Sequence, residues 1–143
     1  MDIGILKDIV DYGVVGILGF MGFLSLFFYI ERLIFLNGVD MKSYKYKERF
    51  EIDIFKHTTI ISSIASNAVY IGLLGTVFGI IITFYSMGQT GDIDVKIIMT
   101  SLSLALKATA LGLIVAIPSM FFYNHIATKI EVLSTLWTIK DED

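Results

Sequence analysis

Residues 57–91 read HTTIISSIASNAVYIGLLGTVFGIIITFYSMGQTG and contain no Asp, Glu, Lys or Arg. The stretch is longer than one bilayer crossing requires. Its polar start, with His57, Thr58, Thr59, Ser62, Ser63 and Asn67, reads as a helix beginning in water. The membrane part then lies near residues 68–87. Gly88, Gln89, Thr90, Gly91 and Asp92 follow and supply turn chemistry. A third span is expected at about 98–123, and it carries one charge, Lys107. Upstream, an uncharged run from Tyr12 to Ile30 lies between Asp11 and Glu31, which places a first span at about 12–35.

Composition agrees. The chain has 143 residues, 55% of them hydrophobic, and a mean hydropathy of +0.76. A soluble domain of this size would expose too much apolar surface, and lipid is the natural solvent for it. The net charge of −3 argues against nucleic acid, which calls for a clustered basic face. With no cysteine, disulfides and thiolate metal sites are excluded. His57 and His125 have no metal-ligand spacing, and no nucleophile–base pair or phosphate loop is evident, so neither cofactor nor enzyme activity is expected. Residues 1–11 hold Lys7 and three aspartates with no small-residue cleavage site, so no cleavable signal peptide is expected.

Lys and Arg near the span ends set the orientation. Residues 32–56 hold Arg32, Lys42, Lys45, Lys47, Arg49 and Lys56, against Lys7 at the N-terminus and Lys96 in the second loop. The first loop should therefore face the cytoplasm, the N-terminus and the short hairpin the outside, and the C-terminus the cytoplasm. The expected architecture is a single all-α membrane domain over 1–143. Its cytoplasmic segment covers about 37–62, with helix extensions broken at Asn37-Gly38, and its C-terminal cytoplasmic helix about 124–143. In that last helix Ile126, Ile130, Leu133 and Trp137 recur at helical spacing, a stripe suited to a neighbouring subunit. Asp141, Glu142 and Asp143 are expected to form a frayed, solvated tail.

Small residues line each span. The first carries Gly13, Gly16, Gly19, Gly22 and Ser25; the second Gly72, Gly75, Thr76, Gly79 and Thr83; the third Ala105, Thr109, Gly112 and Ala116. Small side chains let helix backbones approach closely in lipid, so Gly72, Gly75, Gly79, Ala105, Gly112 and Ala116 are packing candidates. Thr76 and Thr109 each lie about sixteen residues from Asp92, so in an antiparallel hairpin their hydroxyls share a depth. Such a pair could hold water or pass a proton, since a hydroxyl both donates and accepts. Equally, each could bond back to a carbonyl of its own helix.

Ile71-Gly72-Leu73-Leu74-Gly75-Thr76-Val77-Phe78-Gly79 resembles the LGLLGTVxG segment of ExbB and TolQ proteins. Residues 108–118, ATALGLIVAIP, resemble their ATALGLxVAIP segment, and Phe122-Tyr123-Asn124 continues it. Glu31-Arg32 looks like the pair that closes the family's first span. The match is specific over spans two and three and loose over the first span and the loop.

The resemblance implies a multi-pass subunit of the bacterial inner membrane, five copies of which surround helices of an ExbD- or TolR-like partner. That partner supplies a proton-carrying aspartate, and the assembly drives a TonB- or TolA-like protein with the proton gradient. It implies further that Thr76 and Thr109 line the proton pathway. An ExbB-like role in uptake of substrates such as siderophores is the reading adopted. The alternatives are a TolQ-like role in the envelope or a passive oligomeric scaffold or channel.

Three features depart from the family pattern. Val69 replaces a proline, the cytoplasmic loop is shorter, and Leu104 stands where many relatives have a glutamate. Three residues on, Lys107 costs about 2.5 to 3.5 kcal/mol near mid-membrane and needs a partner, a wet cavity or a route to the interface. It sits roughly 160° around the helix from Thr109, so it is expected away from the threonine wall, facing lipid near the outer leaflet or bonded to carbonyls or hydroxyls at a subunit interface. No carboxylate of this chain is expected well inside a span.

Overall fold

The computed structural model describes residues 3–142. Met1, Asp2 and Asp143, the last residue of the expected frayed tail, lie outside them. Four helices follow one another: α1 (Ile3–Gly38), α2 (Lys47–Phe55), α3 (Thr58–Thr90) and α4 (Val95–Glu142), with a short 3₁₀ turn at Met41–Ser43. Three helical stretches are long and apolar enough to cross a membrane. Large apolar side chains such as Phe20, Phe23, Ile114 and Phe121 project outward from them. The protein is an all-α membrane protein.

Local chemistry sets the breaks. Helix α1 stops at Gly38, as Asn37-Gly38 predicted. Asp40 then accepts a hydrogen bond from the Lys42 amide at 3.0 Å and starts the 3₁₀ turn. His57, at φ 67°, takes the left-handed conformation between α2 and α3. Helix α3 runs through Thr90, two residues past the expected turn at Gly88. Gly91 ends it instead, at φ 70°, with its amide donating to the Met87 carbonyl at 2.9 Å. Asp94 accepts from the Lys96 amide at 3.0 Å, and α4 begins at Val95.

The C-terminal stripe departs from expectation. Ile126, Ile130 and Trp137 are buried within the chain itself, against Leu36, Phe50 and Ile54. The loop holds a separate amphipathic helix, α2, whose Phe50 and Ile54 cover the stripe, and the Phe50 and Trp137 rings stack at 5.0 Å. A neighbouring subunit is not needed to bury it. Nor is the tail frayed through Asp141 and Glu142. Helix α4 includes both, and Trp137 Nε1 donates to Asp141 Oδ2 at 3.0 Å.

Within the apolar bundle, α3 and α4 form the closest pair, and α1 packs across both. Leu18, Ala68 and Ala116 make the buried centre there. The glycine stripe of α1 behaves differently from the other two. A methyl at Gly13, Gly16 or Gly19 would meet nothing within 4 Å, and one at Gly22 would rest on Val115 at 3.5 Å. That face of α1 is open in the single chain.

Candidate functional site

The α3–α4 seam is closed by small residues, and the polar pair lies among them. A methyl at Gly75 would lie 2.9 Å from Ala108 Cβ, and one at Gly79 would lie 3.0 Å from Ala105 Cβ. Gly112 meets Gly72 across the same seam, while Ala116 packs with Leu18 and Ala68 where α1 crosses. Every packing position named from the sequence thus falls at a helix contact.

This close approach brings Thr76 to α4. Its hydroxyl is hydrogen-bonded to the Thr109 hydroxyl and reaches the Ala105 carbonyl at 2.8 Å and the Gly72 carbonyl at 3.3 Å. One proton thus faces three acceptors. If Thr76 donates to Ala105, Thr109 donates to Thr76; rotating both hydroxyls reverses the direction. Thr76 is buried and Thr109 half-buried, so Thr109 is the member nearer the open side of the seam. Both sequence readings meet at Thr76, which bonds back along α3 and across to α4. Thr83 does not join the chain of hydroxyls. It is buried and donates to the Gly79 carbonyl of its own helix at 2.8 Å.

Other polar contacts step toward the α2 end of the bundle. Ser25, fully buried, donates at 2.7 Å to Ser119, which donates at 2.8 Å to the Val115 carbonyl. Next, Tyr29 Oη and His125 Nδ1 are 2.8 Å apart, with Tyr29 stacked on Phe122. Last comes Arg32, 2% exposed. It holds Glu31 through two hydrogen bonds of 2.6 Å and donates to the Asp53 carbonyl at 2.7 Å. His57 Nδ1 lies 3.2 Å from the same Glu31 carboxylate. The Glu31–Arg32 pair is therefore a joint between α1, α2 and α3 as well as a span-end ion pair.

Sequence reasoning missed Ser25–Ser119 and Tyr29–His125, whose only local signal is polarity on otherwise apolar faces. Lys107 lies apart from the threonines in a cleft between α4 and α1. Among the described residues no cluster of His, Asp and Glu could hold a metal ion.

A sequence profile of the MotA/TolQ/ExbB proton channel family matches residues 31–139. Biopolymer transport protein ExbB of Helicobacter pylori (strain J99) is 52% identical over 134 residues, covering 94% of this chain and 92% of that protein. The ExbB protein of Aquifex aeolicus (strain VF5) is 48% identical over 125 residues, 87% of this chain and 84% of its own length. That of Pseudomonas putida is 34% identical over 103 residues, 72% of this chain but 27% of its own length.

Proposed function

The chain belongs to the MotA/TolQ/ExbB proton channel family, and on that premise we propose how its helices do their work. It is an ExbB-like inner-membrane subunit that energises biopolymer transport with ExbD- and TonB-type proteins. Five copies enclose the membrane helices of an ExbD-like partner. The Thr76–Thr109 pair is the stretch of proton path that this chain provides.

One observation carries this reading: two hydroxyls from different helices are bonded to each other inside an apolar seam, with one of them half-buried. Their other bonds go to backbone carbonyls, so among the described residues no ionisable group engages the pair. The group that binds and releases the proton is accordingly a carboxylate of the partner. The threonines relay or solvate the proton, and the rigid α3–α4 seam holds them in register. One charge moving through 100 mV yields about 2.3 kcal/mol, enough to bias a packed two-state interface when several protons pass.

Thr76→Ala and Thr109→Ala keep the seam small and delete only the hydroxyl. Both are expected to assemble normally with the partner and to lose energised transport, whereas Thr109→Ser should retain it. Alanine variants that transport normally, or that fail to assemble, would sink the assignment.

A further inference from the structure

Lys107 shares its cleft with two carboxylates. The cleft, of about 320 Å³, is lined on α1 by Asp8, Asp11, Tyr12 and Val15, and on α4 by Leu104, Lys107, Ala108 and Leu111. Each set has the spacing i, i+3, i+4, i+7, which is one continuous face of a helix. Two matching faces therefore meet, one presenting a pair of carboxylates a turn apart and the other a single ammonium.

The neighbouring packing fixes their depth. Val14 on α1 and Ala108 on α4 both press on the position of Gly75, where an added methyl would meet the Val14 methyls at 3.0 Å and Ala108 at 2.9 Å. Asp11 is one turn from Val14, Lys107 adjoins Ala108, and Thr76 adjoins Gly75. The charges thus lie near the level of the threonine pair, on the opposite side of α4, which sets Asp8 and Asp11 deeper than a first span starting at residue 12 implied. The ammonium makes no ion pair at 4.0 Å or less with any described residue, and its four-carbon stem lets it swing across the cleft.

We propose that Asp8 and Asp11 are the counter-ions of Lys107, forming a clasp that holds the N-terminal end of α1 against the turn of α4 bearing Thr109. A lone cation and two lone carboxylates would each be disfavoured at this depth, and placing them in one cleft offsets all three penalties. Lys107 acts as a positioning residue. It keeps α1 seated behind the seam and takes no proton itself. The clasp stands whether or not the threonines carry protons.

Two experiments on the full-length chain, co-expressed with its ExbD-like partner, test it. Lys107→Asp and Asp11→Lys, the second made together with Asp8→Asn, should each lower energised transport per assembled complex by about tenfold. Combined in one chain they should restore most of it, the coupling that marks groups in contact. A combined variant no better than the worse single one overturns the proposal. So does rescue when the two reversals sit in different chains of a mixed oligomer. The second experiment is independent of activity, since the native chain has no cysteine. Lys107→Cys paired with Asp8→Cys or Asp11→Cys should be joined within one chain by a short bifunctional thiol reagent. Failure of both pairs, or linkage only between chains, overturns the clasp as well.

Discussion

Gly72 and Gly112 face each other so closely that neither can carry a side chain: a methyl on Gly72 would lie 2.6 Å from the Ala108 carbonyl oxygen, and one on Gly112 would lie 2.6 Å from that of Ala68. The relation is reciprocal, as expected where two antiparallel helices cross at a shared point. Backbone cannot swing aside as a side chain can, so the crossing is the least tolerant place in the bundle.

Gly72→Ala or Gly112→Ala should therefore destabilise the chain by about 1 to 3 kcal/mol, the range for overpacking a filled core. Gly16→Ala, with open space around it, should leave the packing of the single chain unchanged. Thermal unfolding in detergent compares them. Equal midpoints for Gly16→Ala and Gly72→Ala would show that the seam does not set stability.

A pH dependence follows from the loop. Tyr44 Oη donates to Asp53 Oδ2 at 2.7 Å, and the hydrogen bond to that carboxylate, then burial, then its charge raise the phenol above its usual 10.0. The folded value is above the unfolded one, so the contribution is fully present below pH about 10 and disappears as pH rises through the folded value. Tyr44 packs edge-on against Phe50, which stacks on Trp137, the only tryptophan. Trp137 fluorescence should report an alkaline loosening that Tyr44→Phe lacks. Identical alkaline profiles would remove Tyr44 from the loop's anchorage.

Orientation rests on the basic residues of the first loop. A reporter inserted at Gly91 is expected outside the cytoplasm, and one fused after Asp143 inside it. The reverse pattern would overturn the count of Lys and Arg, and with it the direction of proton flow through the subunit.

The three apolar helices, the break at Asn37-Gly38 and the shared depth of Thr76 and Thr109 were all legible in the sequence. Each depends on quantities that run along one chain segment: hydropathy over a bilayer's length, turn residues, and a constant rise per residue. The motifs of residues 71–79 and 108–118 carried the family in the same local way. Less local features were misjudged. The Ile126, Ile130 and Trp137 stripe was visible as a stripe, but its partner was not, because α2 is short and its apolar residues are split between a buried side, Phe50 and Ile54, and an exposed one, Ile52 and Phe55.

What the sequence by itself determined was therefore the three membrane-spanning helices, their order and the small faces on α3 and α4. Tertiary structure alone decided which faces meet. It joined Ser25 to Ser119, left Gly13, Gly16 and Gly19 of α1 uncovered, and set Asp8 and Asp11 in the cleft of Lys107. The physical reason is rotation about the helix axis. A helix's own residues set its length and its apolar arc, but its azimuth and crossing angle come from how all three helices fit at once. At Gly72 and Gly112 that fit is tight enough to fix the rotation, and the contacts of Thr76 with Thr109 follow from it.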